Sequence, residues 1–236
     1  MMRVVADNAD KAVSKRMPRL ALINPNTSEA STRLMVGIAA AEAGETASIA
    51  GFTARFGSPL ISCEAHLRVA AEAVLDLIDS GVADGFDGVI ISAFGDPGVE
   101  AVRARVPMPV LGLAEASLAE AAAFGGKFAI GTTTPQLIDA IERYVMRRGF
   151  GAQLRAIRTT SGDFAEVMAD AERMEAALAV VIETIIQRDD VCSIIIGGGP
   201  LAGAARTLAV DSPTRIIEPI PAAVRGLLAQ LNGARV

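Results

Sequence analysis

The stretch VIISAFGDPGVEAV, Val89 to Val102, constrains this chain most. Three β-branched residues in a row, Val89, Ile90 and Ile91, read as a buried strand. A small-residue elbow and Asp96-Pro97-Gly98 follow, and then an apolar-periodic run that opens a helix. Proline suits a helix start, where its missing N–H would be unpaired anyway. Strand, glycine-rich turn and helix start in succession gather loop atoms and free backbone N–H groups at one point. A ligand is expected at that point.

The rest of the chain repeats this grammar. Short strands are expected at Leu20–Ile23, Thr46–Phe52, Val110–Leu113, Lys127–Ile130, Leu154–Ile157, Cys192–Ile196 and Arg215–Ile217. Helical segments lie between them: Glu29 to about Ala43, Cys63–Ser80, a run ending near Phe124, Pro135–Arg148, one or two helices within Asp163–Arg188, one from about Ala202, and Pro221–Leu231. Strands alternating with helices of this length define an α/β fold with parallel sheets.

The order contains a repeat. RLALINPNT returns as KFAIGTTTP about 107 residues later, and VIISAFGDPG returns as SIIIGGGPLAG about 105 residues on. Two pseudosymmetric Rossmann-like lobes follow from this, with the active-site crevice between the ends of their strands. The expected organisation is a flexible N-terminal arm over 1–18, a first α/β lobe of 19–115 plus 210–236, and a second α/β lobe of 116–209. The last strand and helix are expected to return to the first lobe.

Composition excludes several functions. With 51% apolar and 21% charged residues the chain is globular. A net charge of −5 without basic clusters argues against nucleic acid or anionic membrane as partner, and 4% aromatic residues give little to stack on. Mean hydropathy is +0.41, yet no apolar run reaches the ~18 residues of a membrane span. A cytoplasmic protein with a small-molecule substrate is expected, and the apolar excess fits a homo-oligomer. Cys63 and Cys192 show no metal-ligand or redox spacing, and no His/Cys/carboxylate cluster indicates a metal.

The crevice loops supply the candidate site. Asn26 and Thr27 serve a turn and a helix cap, with Ser28 the other candidate for the cap, and Asn26 and Thr27 are placed to touch a ligand as well. Thr132, Thr133 and Thr134 exceed what one cap needs and suit a carboxylate or imide oxygen. Gly197–Gly199 lets a ligand approach the backbone, but GGGPLAG lacks the Lys-Ser/Thr of a phosphate-binding loop. Asp96 reads as a turn or cap residue with an acid/base role as the alternative. Glu115, a charge at a strand end, is the second acid/base candidate. His66 reads as a surface or capping residue, Tyr144 as core, and Asp163, Glu166, Asp170, Glu172 and Glu175 as a solvated helix face.

Taken together, INPNTS, AFGDPG, PVLGLAEAS, FAIGTT, GGGPLAG and IIEPIPAAV resemble the aspartate/glutamate/hydantoin racemase superfamily, most closely its hydantoin racemase branch. The resemblance runs from about Arg19 to Gly233. It implies two α/β lobes with the site between them and chemistry without cofactor or metal. It also implies a cysteine from each lobe on either face of the substrate's stereocentre, one thiolate removing the α-proton while the opposite thiol returns one. Those positions fall on Ala93 and Gly198 here. The resemblance extends substrate contact to Ala93, Phe94, Gly95, Gly198, Gly199 and Pro200. Three readings stay open: acid/base chemistry by Asp96 or Glu115 on a small carboxylate or cyclic imide or amide, racemisation by other bases, and a binding protein without chemistry.

Overall fold

The computed structural model describes residues 16–233. Most of the expected N-terminal arm, residues 1–15, lies outside this range. Arg19–Asn24 (β1), Ser48–Thr53 (β2), Gly88–Ile91 (β3) and Val110–Gly112 (β4) form one sheet in the order β2-β1-β3-β4. Phe128–Thr132 (β5), Leu154–Thr159 (β6), Ser193–Ile196 (β7) and Arg215–Ile217 (β8) form a second in the order β6-β5-β7-β8. Every pairing is parallel. The two sheets therefore repeat one topology.

Nine helices among the described residues join and cover the strands: α1 (Glu29–Ala43), α2 (Glu64–Asp79), α3 (Val99–Arg103), α4 (Leu113–Phe124), α5 (Ile138–Arg147), α6 (Phe164–Met168), α7 (Ala171–Arg188), α8 (Ala202–Val210) and α9 (Pro219–Gly233). Of Thr27 and Ser28, the two candidates before this run of strong helix formers, it is Ser28 that caps α1, accepting from Ser31 N–H. Asp163 and Asp170 cap α6 and α7 in the same way. Two members of the acidic run are thus helix caps as well as solvated charges. No helix among the described residues is long and apolar enough to cross a membrane.

Side chains alternate across each strand, and the alternation sorts the interior into three cores. Ala21, Ile23, Val89 and Ile91 face the outer helices of the first sheet. Ala129, Ile194 and Ile196 do the same in the second. The inward residues Leu20, Leu22, Ile90, Phe128, Ile130 and Ile195 join a single core with α4 and α9. Helix α9 returns to α1, β3 and β4, but the last strand does not go with it. The expectation for that strand is corrected: β8 pairs with β7, because Ser193–Ile195 offers it an open edge in register with Arg215–Ile217.

Helix α4 follows β4 without a loop, so its N-cap is Gly112, which has no side chain with which to cap. Asp96, in the β3–α3 turn at φ 52°, supplies the acceptor from elsewhere. Its two carboxylate oxygens take the N–H groups of Ala114 and Glu115, each at 2.8 Å. A Cβ on Gly112 would stand 2.1 Å from the Asp96 carboxyl carbon, so the glycine makes room for the cap. The Tyr144 hydroxyl of α5 donates to the same carboxylate, tying the second lobe to the first. Burial pushes the Asp96 carboxyl up to about 6 against the hydrogen bonds from Tyr144, Ala114 and Glu115, which favour its ionised form.

Two outcomes are expected. Asp96→Ala leaves two helix N–H groups and a tyrosine hydroxyl without an acceptor and costs roughly 1–3 kcal/mol in urea unfolding. Gly112→Ala costs a similar amount, and the double variant falls well short of the sum, since both remove one cap. The folded Asp96 holds its proton to higher pH than the unfolded side chain, so its contribution to stability falls as pH rises from about 4 to about 6. Unfolding free energies of wild type and Asp96→Asn from urea titrations should therefore differ in favour of wild type by roughly 2 kcal/mol more at pH 4.5 than at pH 7.5.

Candidate functional site

The C-terminal ends of the two inner strand pairs point at each other, and a cavity lies between them. Asn26 stands two residues past β1 and Thr134 two residues past β5. Ala93 stands two residues past β3, and Gly198 two residues past β7. All four line the cavity, as two pairs related by the repeat. Ser92, Phe94, Thr133, Gly197, Gly199, Pro200 and Leu201 complete the strand-end wall. Leu60 and Ile61 add to it from the β2–α2 loop, Leu137 and Ile141 from the segment around α5, and Phe164 and Met168 from α6.

The lobes approach closely here. Ser92 N–H and hydroxyl both donate to the Ile23 carbonyl, and Gly197 N–H donates to the equivalent Gly131 carbonyl. A Cβ on Gly199 would lie 2.7 Å from the Ser92 carbonyl oxygen, so only glycine allows this crossing.

The polar wall is oriented by its own hydrogen bonds. The Asn26 carboxamide oxygen accepts from Ser28 N–H at 2.8 Å and from Asn24 Nδ2 at 2.9 Å. Its Nδ2 is the group left to donate into the cavity. Thr132 donates to the Gly197 carbonyl at 2.8 Å, so the proton in its 3.1 Å contact with Thr134 comes from Thr134. Thr134 Oγ1 is left as an acceptor. The cavity thus presents a donor from the first lobe and an acceptor from the second.

Of the residues expected to touch a ligand, Asn26, Ala93, Phe94, Thr133, Thr134, Gly198, Gly199 and Pro200 lie on the wall. Three stand elsewhere. Thr132 is fully buried behind Thr134, because it anchors the Gly197 carbonyl. The backbone of Thr27 turns outward to Ser58. Gly95 faces a second cleft beside the first. Asp96 and Glu115 are also off the wall. Asp96 caps α4, while Glu115 is held by Arg103 at 2.6 Å and by Arg148.

Other expectations also meet the geometry. Tyr144 is only half-buried, with its hydroxyl on Asp96, where pure core was expected. Burial and the neighbouring Asp96 charge push its hydroxyl far above the ordinary range. His66 folds its Nδ1 back on Ser62. Cys63 precedes α2 away from the wall, and Cys192 is exposed because β7 begins one residue after it.

Sequence reasoning missed Ser92, Leu137, Ile141, Leu201, Leu60, Ile61, Phe164 and Met168. The last two sit four apart within an acidic run, a one-turn apolar pair whose only signal was that spacing. Among the described residues, those on the wall include no Asp, Glu, His, Lys, Arg, Cys or Tyr.

This architecture has known counterparts. Hydantoin racemase of Pseudomonas sp. (strain NS671) is 26% identical over 207 residues, 88% of this chain and 83% of that protein. The structure of allantoin racemase from Klebsiella pneumoniae superposes with a TM-score of 0.87 at 28% identity, covering 92% of this chain and 89% of its own. A Gly74Cys mutant of arylmalonate decarboxylase shares the fold at TM-score 0.65 and 15% identity, over 92% and 94% of the two chains. The Asp/Glu/hydantoin racemase family model matches residues 20–227. The chain belongs to the Asp/Glu/hydantoin racemase family.

Proposed function

We propose that the cavity binds a small, uncharged cyclic amide or imide of the hydantoin type. The Asn26 donor comes from one lobe and the Thr134 acceptor from the other, while the Ser92 and Thr133 hydroxyls on the same wall are already engaged with the Ile23 carbonyl and the Met168 sulfur. Asn26 Nδ2 would donate to a ring carbonyl, and Thr134 Oγ1 would accept from a ring N–H. A carboxylate is a poor fit, since the described residues of the wall offer no cation to offset its desolvation. The space is about 50 Å³, well under the ~300–1,000 Å³ usual for ligand sites. A substituted ring requires this cavity to widen beyond its present size.

The single observation that carries this reading is the neutral wall. Moving a proton to and from carbon needs a positioned base and acid, and no titratable side chain among the described residues lines this cavity. By family resemblance the positions for two thiols are Ala93 and Gly198, and both line it without one. Binding is the role these wall residues support, and an isomerase step of the family's kind would draw on groups outside the wall. The acid/base reading keeps one observation in its favour: Asp96, three residues beyond Ala93, has its carboxyl at about 6, near the range of a general acid.

Thermal shift and solvent-deuterium exchange separate the readings. A panel of 5-substituted hydantoins and allantoin should raise the melting temperature, while aspartate and glutamate should not. The shift should vanish in Asn26→Ala and Thr134→Val. Exchange at the ring stereocentre should stay at the buffer rate. Protein-accelerated exchange that drops at least ~100-fold in Asp96→Asn or Glu115→Gln would instead assign the chemistry to those carboxylates.

A further inference from the structure

A second cleft, of about 280 Å³, lies between α2 of the first lobe and α5 of the second. It shares Phe94, Leu137 and Ile141 with the cavity wall, so those three side chains partition the two spaces. Its lining is charged where the cavity is neutral. Arg68, Arg143 and Arg147 face it against one carboxylate, Glu64, in a chain whose net charge is −5. Glu64 pairs with Arg143 at 2.5 Å. Neither Arg68 nor Arg147 forms an ion pair with a carboxylate among the described residues. The Arg147 guanidinium stands 5.8 Å from the centre of the Tyr144 ring, which also lines the cleft.

The fold thus brings guanidinium groups from two lobes to one concavity, two of them without a carboxylate partner among the described residues. Like charges gathered this way repel, and an anion between them relieves the repulsion. Guanidinium forks match the two oxygens of a carboxylate. Leu67, Ala71 and Ala140 give the cleft an apolar wall for a short carbon chain.

We propose that this cleft is a binding site for a small organic carboxylate, held by Arg68 and Arg147 beside Tyr144. The site stands independently of what the neutral cavity takes. Its carboxylate belongs to a free acid, and the alternative source, an acidic arm on the cavity's own ligand, is separated below.

The chain has one tyrosine, Tyr144, and no tryptophan, so tyrosine fluorescence reports this cleft directly. The full-length protein is titrated at low salt with succinate and, in parallel, with uncharged succinamide. Succinate should give a saturable change and succinamide none. Affinity should fall at least about tenfold in Arg68→Gln and in Arg147→Gln, the loss of one charge-assisted contact, at unchanged melting temperature. A neutral hydantoin should leave the succinate affinity intact. Competition between the two, with tighter binding of a hydantoin bearing a carboxyethyl arm, would overturn the free acid in favour of an arm. An absent response, one matched by succinamide, or one unchanged in both arginine variants would overturn the site.

Discussion

The apolar core shared by the inner faces of both sheets is the contact on which everything else depends. Leu20, Leu22 and Ile90 from one sheet and Phe128, Ile130 and Ile195 from the other are buried in one cluster, with α4 and α9 packed into it. A parallel sheet presents all its strand ends on one side. Two such sheets sharing an inner core bring their loop edges face to face. Asn26, Ala93, Thr134 and Gly198 meet because the hydrophobic packing beneath them leaves them nowhere else to point.

Polar contacts then set how the lobes rest on one another. Tyr144 and Arg148 lie at the C-terminal part of α5 and just past it, and both reach first-lobe carboxylates: Asp96, Glu100 and Glu115. Arg143 of the same helix reaches Glu64. One helix therefore carries most of the charged contact across the cleft. Asp96 is the member that serves both lobes at once, because β4 runs into α4 through a glycine that cannot cap the helix itself.

The site that results is polar without being ionisable. Much of its hydrogen-bonding capacity goes to the backbone: Thr132 holds Gly197, Ser92 holds Ile23, and the Asn26 oxygen holds Ser28. Each of these bonds fixes a loop and aims what is left, an amide donor and a hydroxyl acceptor, at the cavity. Such a wall matches a neutral ring better than an ion. The charges stand one layer away, in the α2–α5 cleft and in the network around Glu115.

Periodicity and turn chemistry in the sequence determined the alternating elements, the duplicated topology and the strand-end loops, because each depends on neighbours within a few residues. The apolar runs at Val89–Ile91 and Ile194–Ile196 are buried on both faces, as strands in covered parallel sheets must be. Thr27 or Ser28 could be read as a cap from the helix formers that follow them. Tertiary structure alone decided the rest. Whether Asp96 faces a ligand or a helix end depends on Gly112, sixteen residues away, and on Tyr144 in the other lobe. Thr132 and Thr134 are equivalent as letters, yet one is an anchor and the other a wall, because Thr132 is the last residue of β5 beside Gly197 while Thr134 stands two residues beyond, where the chain turns into the short helical segment Pro135–Leu137. The edge that β8 joins and the arginines that α2 and α5 bring together are long-range pairings, and local sequence carries no term for which distant segment a side chain will meet.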